Sequence, residues 1–295
     1  MKIVITGISG MFGYDLVQNL SEEEIVGVDI KEPSFNFSGK FVNLDFTNSE
    51  TTYQVVSKEN PDLIIHAAAY TDVDGCESNK DKAYLVNGLG TRNMVIAASR
   101  FDSGFVYIST DYVFDGSKNI PYREDDNTNP KSEYGKSKLW GENYVKQFLQ
   151  KYFIIRSAWL FGEKRNNFAQ SMYESLVKGG KYAAAEDLVG SPTYTPHLAF
   201  AVSKLIRTKK FGVYHLTNSG SCSRYEFGKE MKKLINSPVK GEISRSKLSS
   251  LDLAAPRPKN STLENYCYKL EGFDPLPHWK EALKTYIKNM DRILI

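Results

Sequence analysis

Three glycines constrain this chain more than any other feature. Ile3-Val4-Ile5-Thr6 is an apolar run of strand type. It ends in Gly7-Ile8-Ser9-Gly10-Met11-Phe12-Gly13, which opens a segment of helical period near Met11–Leu20. Glycine is required where a strand-to-helix turn is tight and where a pyrophosphate must approach the backbone. The helix that follows offers unpaired N–H groups and a partial positive charge to those phosphates. The glycines alone would be an ordinary turn; the flanking strand and helix make the spacing a dinucleotide-binding signal.

The rest of the first half repeats the alternation. Strands are predicted at Ile3–Thr6, Ile25–Asp29, Phe41–Asn43, Leu63–His66, Phe105–Ser109 and Phe153–Arg156. Helices are predicted near Met11–Leu20, Thr51–Lys58, Lys80–Arg100 and Tyr134–Gln150. Strands alternating with helices imply a parallel sheet covered on both faces, an α/β doubly wound (Rossmann) fold. After about Leu160 the pattern loosens. Thr195-Pro196 reads as an N-cap followed by proline at the first helical position. Ser223-Arg224-Tyr225-Glu226 reads as a capping box. A last helix runs near Trp279–Met290. We therefore expect residues 1–160 to form the dinucleotide-binding domain and residues 161–295 a smaller, interleaved substrate-binding lobe.

Composition narrows the function. The 295 residues carry a net charge of +3, too little for a nucleic-acid surface. Three cysteines, Cys76, Cys222 and Cys267, form neither a disulfide framework nor a CxxC metal site and suit a cytoplasmic protein. No apolar run is long enough to span a bilayer, so no membrane partner is expected. A homodimer stays open.

Two acidic residues follow the glycine turn. Asp29 ends the second strand, where a carboxylate hydrogen-bonds the adenosine ribose. It would repel a 2′-phosphate, but Lys31 two residues on offsets that repulsion, so NADPH and NADH both fit. Asp45, after the third strand, is a candidate partner for the adenine amine. Both also read as solvated carboxylates at strand ends.

The chemistry centres on Tyr134 and Lys138, four residues apart on a predicted helix and so on one face. Reducing a ketone needs hydride from one side and a proton at the carbonyl oxygen. A tyrosine of ordinary pKa near 10 exchanges protons poorly at neutral pH, and a neighbouring ammonium is expected to lower it. Lys131 and Lys136 add to the positive field. With 18 tyrosines in the chain the spacing also arises by chance on a solvated helix face. Two segments tip the balance towards a site. Tyr107-Ile108-Ser109-Thr110-Asp111-Tyr112 puts hydroxyls at the C-terminal end of a parallel strand, where open α/β sheets bind ligands. Ala67-Ala68-Ala69, after the fourth strand, lets a cofactor lie against the backbone.

Together these residues resemble the extended short-chain dehydrogenase/reductase superfamily and, within it, the dTDP-4-dehydrorhamnose reductase family. The likeness runs through Gly7–Gly13, Ala67–Asp74, Ser109–Phe114, Tyr134–Lys138, Arg156–Gly162, Asn166–Phe168, Gly190–Thr193 and Arg257–Ser261. It implies Tyr134 as general acid, Lys138 as its modulator and Thr110 as second donor to the carbonyl. It implies Gly7, Gly10, Met11, Phe12 and Gly13 around the cofactor pyrophosphate. Thr71, Val73, Tyr112, Trp159 and Asn167 would line the sugar pocket, and Arg257 would meet the substrate's diphosphate or form an interdomain salt bridge. Some members hold magnesium at a dimer interface with acidic side chains. Here Pro196 stands where one glutamate would fall and Asp15 is a shortened match for another, so no metal is expected. Asn87-Gly88 replaces the family's Asn-Ala, a change read as packing.

The implied reaction is NADPH- or NADH-dependent reduction of the C4 keto group of a dTDP-linked 6-deoxy sugar, giving dTDP-L-rhamnose. A 4,6-dehydratase would need a carboxylate after Asp111, where Tyr112 stands. A reductase of another nucleotide-linked 4-keto sugar remains a rival. So does a non-catalytic cofactor-binding subunit like the regulatory β subunit of methionine adenosyltransferase, although Tyr134, Lys138 and Thr110 are all intact.

Overall fold

The computed structural model describes residues 1–164, 167–236 and 240–293. Seven parallel strands form its central sheet: β1 (Lys2–Thr6), β2 (Glu24–Asp29), β3 (Gly39–Asn43), β4 (Leu63–His66), β5 (Gly104–Thr110), β6 (Tyr152–Ser157) and β7 (Gly212–His215). Their spatial order is β7-β6-β5-β4-β1-β2-β3. The six predicted strands are present. The seventh, Gly-Val-Tyr-His, is too short and too polar to stand out as an apolar run, and was missed. It pairs with β6 from Gly212↔Phe153 to His215↔Arg156.

The strand order reverses between β1 and β4, which pair in register up to Thr6↔His66. A crevice opens beyond the strand ends at such a point, and ligands bind there.

Helices cover both faces because the strands are apolar on both sides. On one face α1 (Met11–Asn19) and α5 (Thr195–Leu205) pack Leu16, Val17, Leu198 and Val202 onto Ile3, Ile5 and Ile155. On the other, α2 (Ser49–Glu59), α3 (Thr91–Arg100) and α4 (Glu133–Phe148) pack Val56, Met94 and Val145 onto Val4, Ile64 and Ile154. A separate core of Phe161, Met172, Phe227, Leu283 and Tyr286 forms from later segments, beside a parallel pair of strands at Lys181–Ala185 and Glu242–Ser246.

Two local expectations change. The segment expected as one helix over Lys80–Arg100 is α-helical at Lys80–Ala83, π-helical at Tyr84–Gly90 and α-helical again from Thr91. Single-turn π segments of this kind recur at functional sites. Gly88 lies within it, and a Cβ there would fall 2.5 Å from Cε3 of Trp140. The Asn-Gly pair is thus a packing requirement. Thr195 does not cap its helix. Tyr194 is the N-cap residue and caps with no side-chain bond, while the Thr195 hydroxyl donates to the Phe161 carbonyl at 3.3 Å. The capping box at Ser223 is present, with Glu226 N–H donating to Ser223 Oγ and Ser223 N–H to Glu226 Oε2. No helix among the described residues is long and apolar enough to cross a membrane.

Candidate active site

A cleft of about 750 Å³ lies at the C-terminal ends of β1, β4, β5 and β6, within the range of small-molecule sites. Gly7, Gly10, Met11, Phe12 and Gly13 form one end of it. Gly7 has φ +74, and a Cβ there would come within 2.7 Å of the Ala68 backbone nitrogen. At Gly13 a Cβ would strike the Gly7 and Ile8 carbonyl oxygens and approach Ile8 Cα to 2.7 Å. The turn is therefore compressed against the segment after β4, and Met11 opens α1 directly towards the cleft.

A buried hydrogen-bond chain fixes that segment. Ala68 N–H donates to Thr6 Oγ1, Thr6 Oγ1 meets His66 Nδ1 at 2.8 Å, and His66 Nε2 meets Thr91 Oγ1 at 3.1 Å. Thr91 donates its own proton to the Asn87 carbonyl. Thr91 must then accept from Nε2–H, which leaves Nδ1 to accept from Thr6. Burial pushes His66 down to about 3, so the ring stays neutral. Asn87 completes the frame. Its amide accepts from Tyr70 N–H and donates to the Tyr70 carbonyl and to Ser137 Oγ on α4. The loop of Ala67, Ala69, Thr71 and Val73, all lining the cleft, is thereby tied to the helix that carries Tyr134.

Tyr134 and Thr110 both line the cleft. Ser132 caps α4 by accepting from Gly135 N–H, so Tyr134 sits in the first turn. The Thr110 hydroxyl donates to Asp111 Oδ1 at 3.0 Å and lies within hydrogen-bonding reach of the phenol. Tyr112 meets the Tyr134 ring edge-on, with centroids 5.7 Å apart. The expected drop in the tyrosine's pKa is not found. Burial pushes the Tyr134 phenol well above its ordinary value, and the Thr110 contact only partly offsets the rise. Lys138 does not line the cleft. It is buried beneath, its ammonium 4.1 Å from the centre of the Tyr107 ring, and burial lowers it to about 7. A desolvated ammonium is a weaker cation than the sequence suggested.

Behind this wall Tyr134, Lys138 and Glu142 follow one another at successive helical turns. Glu142 accepts from Arg156 Nε at 3.0 Å and Nη2 at 2.8 Å, and from Ser109 Oγ at 2.6 Å. The pair is fully buried and pins β5 and β6 to α4.

The remaining expected residues divide. Tyr112, Trp159, Asn167 and Arg257 line the cleft. Trp159 has φ +48, a left-handed conformation that bulky residues rarely adopt. Asn167 caps the helix Phe168–Val177 through Ala169 and Gln170 N–H groups; its neighbour Asn166 lies outside the described residues. Arg257 makes the salt bridge that was its alternative reading, donating from Nη1 and Nη2 to Asp74 at 2.6 and 2.7 Å. Asp29 and Asp45 lie outside the cleft lining. Asp29 stands beside the glycine turn and accepts from Ser9 N–H at 3.1 Å. Asp45 is exposed and turned onto its own loop, accepting from Thr47 N–H and Oγ1. Asp15, weighed as a metal ligand, is buried and pushed up to about 7 by that burial. No group of three or more His, Cys, Asp or Glu among the described residues is disposed to hold a metal ion.

Two charged residues of the lining were missed. Asp111 is buried, pushed up to about 6 by that burial, with Oδ2 unpartnered. Arg224 arrives from the first turn of the helix Arg224–Leu234. Nothing in its capping-box sequence distinguishes it from a solvated helix-start residue.

A doubly wound sheet whose glycine turn and Tyr-x-x-x-Lys helix open onto one cleft defines a short-chain dehydrogenase/reductase of the extended type. The comparisons narrow the class. Residues 1–292 match the RmlD substrate binding domain, and the chain belongs to that family. It is 35% identical over 287 residues to the spore coat polysaccharide biosynthesis protein SpsK of Bacillus subtilis (strain 168), covering 97% of each chain. A solved dTDP-4-dehydrorhamnose reductase from Clostridium acetobutylicum superposes with a TM-score of 0.91 at 37% identity, covering 99% of this chain and 100% of that one. The dTDP-4-dehydrorhamnose reductase of Bacillus anthracis, solved in complex with NADP, gives 0.90 at 37% identity over 98% and 99%.

Proposed function

We propose that this protein is a nicotinamide-dependent reductase of a dTDP-linked 4-keto-6-deoxy sugar, forming dTDP-L-rhamnose. The observation that carries the reading is the meeting of Tyr134, Thr110 and the compressed glycine turn in one cleft. Its family membership and the reductase names of its relatives support the substrate class.

The cradle fits a dinucleotide. Gly7 and Gly13 have no room for a Cβ, and α1 begins at Met11 with its first N–H groups directed at the turn. Asp29 beside the turn suits the adenosine ribose, and Asp45 further out the adenine. NADPH or NADH bound there supplies hydride to the keto carbon.

This chain's residues then handle the oxygen. Thr110 and Tyr134 hydrogen-bond the carbonyl, and the phenol gives up its proton as negative charge develops. Burial keeps the phenol protonated at neutral pH, so the proton is in place, while the rise itself makes the phenol a weaker acid and leaves the developing oxyanion to draw the proton off. Lys138, buried behind the cleft wall one helical turn from Tyr134, eases the return of a proton to the phenol through its charge. Thr71, Val73, Tyr112, Trp159 and Asn167 bound the sugar. Residues 1–160, joined by α5 and β7 from later in the chain, serve as the cofactor domain, and the remaining segments after 161 as the sugar-nucleotide lobe.

The test is a purified-protein assay with dTDP-4-dehydro-6-deoxy-L-mannose and either NADPH or NADH, following loss of the nicotinamide absorbance and identifying the product sugar. Oxidation of the cofactor with formation of dTDP-L-rhamnose is expected. Turnover only with a different nucleotide-linked 4-keto sugar would reject the substrate, and no turnover with any would reject the reductase.

A further inference from the structure

Four charged side chains line the cleft among the described residues: Asp72, Asp111, Arg224 and Arg257. Two are committed locally. Asp72 caps its own turn by accepting from Gly75 N–H. Arg257 is neutralised by Asp74 through both terminal nitrogens, one of which also donates to the Ala255 carbonyl.

Arg224 is different. Its guanidinium lies between two aromatic rings, 3.6 Å from the centroid of Trp159 and 3.6 Å from that of Phe168. No carboxylate among the described residues comes within ion-pair distance of it, although Asp111, buried in the same cleft, acts on it electrostatically, and its buried Nη1 has no hydrogen-bond partner. Buried donors are seldom left in this state, and an exception calls for an explanation. Stacking satisfies the faces of the guanidinium and leaves its in-plane donors free. Burial lowers its pKa only to about 10, so it remains a cation at neutral pH.

The platform beneath it is also unusual. Trp159 is held at φ +48, and its ring closes on Gly190, where a Cβ would approach Nε1 to 2.7 Å. Strain of this sort persists where the surroundings over-determine a geometry, and it clusters at ligand sites. The guanidinium also lines the cleft that holds Tyr134 and Tyr112. Arg224 and Arg257 both act on the Tyr112 phenol, and Tyr112 in turn touches the Tyr134 ring. Arg224 therefore lines the same cleft as the proposed proton donor, which a sugar carbonyl and its linked diphosphate would share.

We propose that Arg224 holds the diphosphate of the nucleotide-linked substrate, using the Nη1 donor that no protein acceptor takes. This rests on the reading of the cleft as a nucleotide-sugar site. It moves the main phosphate contact from Arg257, which Asp74 already occupies, to a residue in the later part of the chain. A fork of N–H donors against phosphate oxygens gives short, charge-assisted bonds.

The experiment measures dTDP binding by calorimetry to the wild type, Arg224→Met and Arg224→Lys, with NADPH binding and the melting temperature as controls. Methionine keeps an unbranched side chain between the rings and removes the charge. R224M is expected to weaken dTDP about 30-fold or more and to raise KM for the sugar nucleotide with little change in kcat or in NADPH affinity, roughly the worth of a charge-assisted contact. R224K is expected to recover part of the loss. Wild-type affinity for dTDP in a folded R224M, or R224K binding no better than R224M, would overturn the assignment. If R224M does not fold, R224K alone decides, since undiminished dTDP affinity in it contradicts a forked contact. Should the wild type reject dTDP but bind another nucleoside diphosphate through Arg224, the thymidine reading fails and this one stands. Should it bind no nucleoside diphosphate, both fail.

Discussion

Replacing Glu142 by glutamine tests how the buried framework supports the site. The carboxylate is fully buried, as is Arg156, and it accepts from Arg156 Nε and Nη2 and from Ser109 Oγ. An amide offers one accepting oxygen and no charge, so E142Q leaves a buried guanidinium uncompensated. Removing one partner of a buried pair costs about 3–5 kcal/mol. In a chain of this size about 2 °C is lost per kcal/mol, so the midpoint should fall by roughly 6–10 °C. Replacing both partners by apolar residues, as in Glu142→Leu with Arg156→Met, should recover most of that. The pH dependence has a definite sign. Burial raises the Glu142 carboxyl, but Arg156, Lys146 and the Ser109 hydroxyl outweigh it and hold the group below its ordinary value. A depressed carboxylate contributes stability above its unfolded pKa and loses it as pH falls through the folded value. The gap between wild type and E142Q should therefore narrow in acid. Glu142 also opposes the burial that lowers Lys138. In E142Q the alkaline limb of the activity profile should move to lower pH. Thermal melts and pH–rate profiles measure both effects. A variant melting within about 1 °C of the wild type, or a double variant no more stable than E142Q, would refute the reasoning.

Gly13→Ala should weaken NADPH binding at least about tenfold, equivalent to about 1.4 kcal/mol, because its Cβ collides with the Gly7–Ile8 backbone; a fluorescence titration measures this. Gly88→Ala should cost about 1–3 kcal/mol through overpacking against Trp140, and Trp140→Ala should relieve part of it in denaturant melts. Lys138, lowered to about 7 by burial, carries an unfavourable buried charge below that pH and sheds it as pH rises towards its unfolded value. The wild type should therefore gain about 2 kcal/mol relative to Lys138→Met between about pH 7 and about pH 9, measured by chemical denaturation at each pH.

How far the sequence could be read depended on whether a residue's role is set locally. The glycine turn was legible because strand, turn and helix are contiguous and each glycine answers a steric need. Five of the six strands before residue 160 were legible because buried strands are continuous apolar runs, and the exposed edge strand β3 was legible only through Phe41-Val42. β7 was not, because its four residues become a strand only by pairing with β6. The π turn at Tyr84–Gly90 depends on Trp140 and Phe46 filling the spaces over Gly88 and Gly90, contacts made across the fold. The electrostatics were least legible. Spacing puts Lys138 one turn from Tyr134, but only burial reveals that the ammonium is desolvated and that the phenol rises rather than falls. Arg224 carries no local signal at all, since its significance lies in Trp159 and Phe168, both distant in sequence.

The most direct measurement compares Tyr134→Phe with the wild type, pairing single-turnover reduction of the dTDP-4-keto sugar with calorimetric titration of NADPH. The predicted result is a fall in rate of at least about 100-fold, the scale of a lost general acid, with cofactor affinity essentially unchanged. Turnover persisting at about a tenth of the wild-type rate or more, only about 1.4 kcal/mol of barrier, would contradict the assignment of Tyr134 as the proton donor.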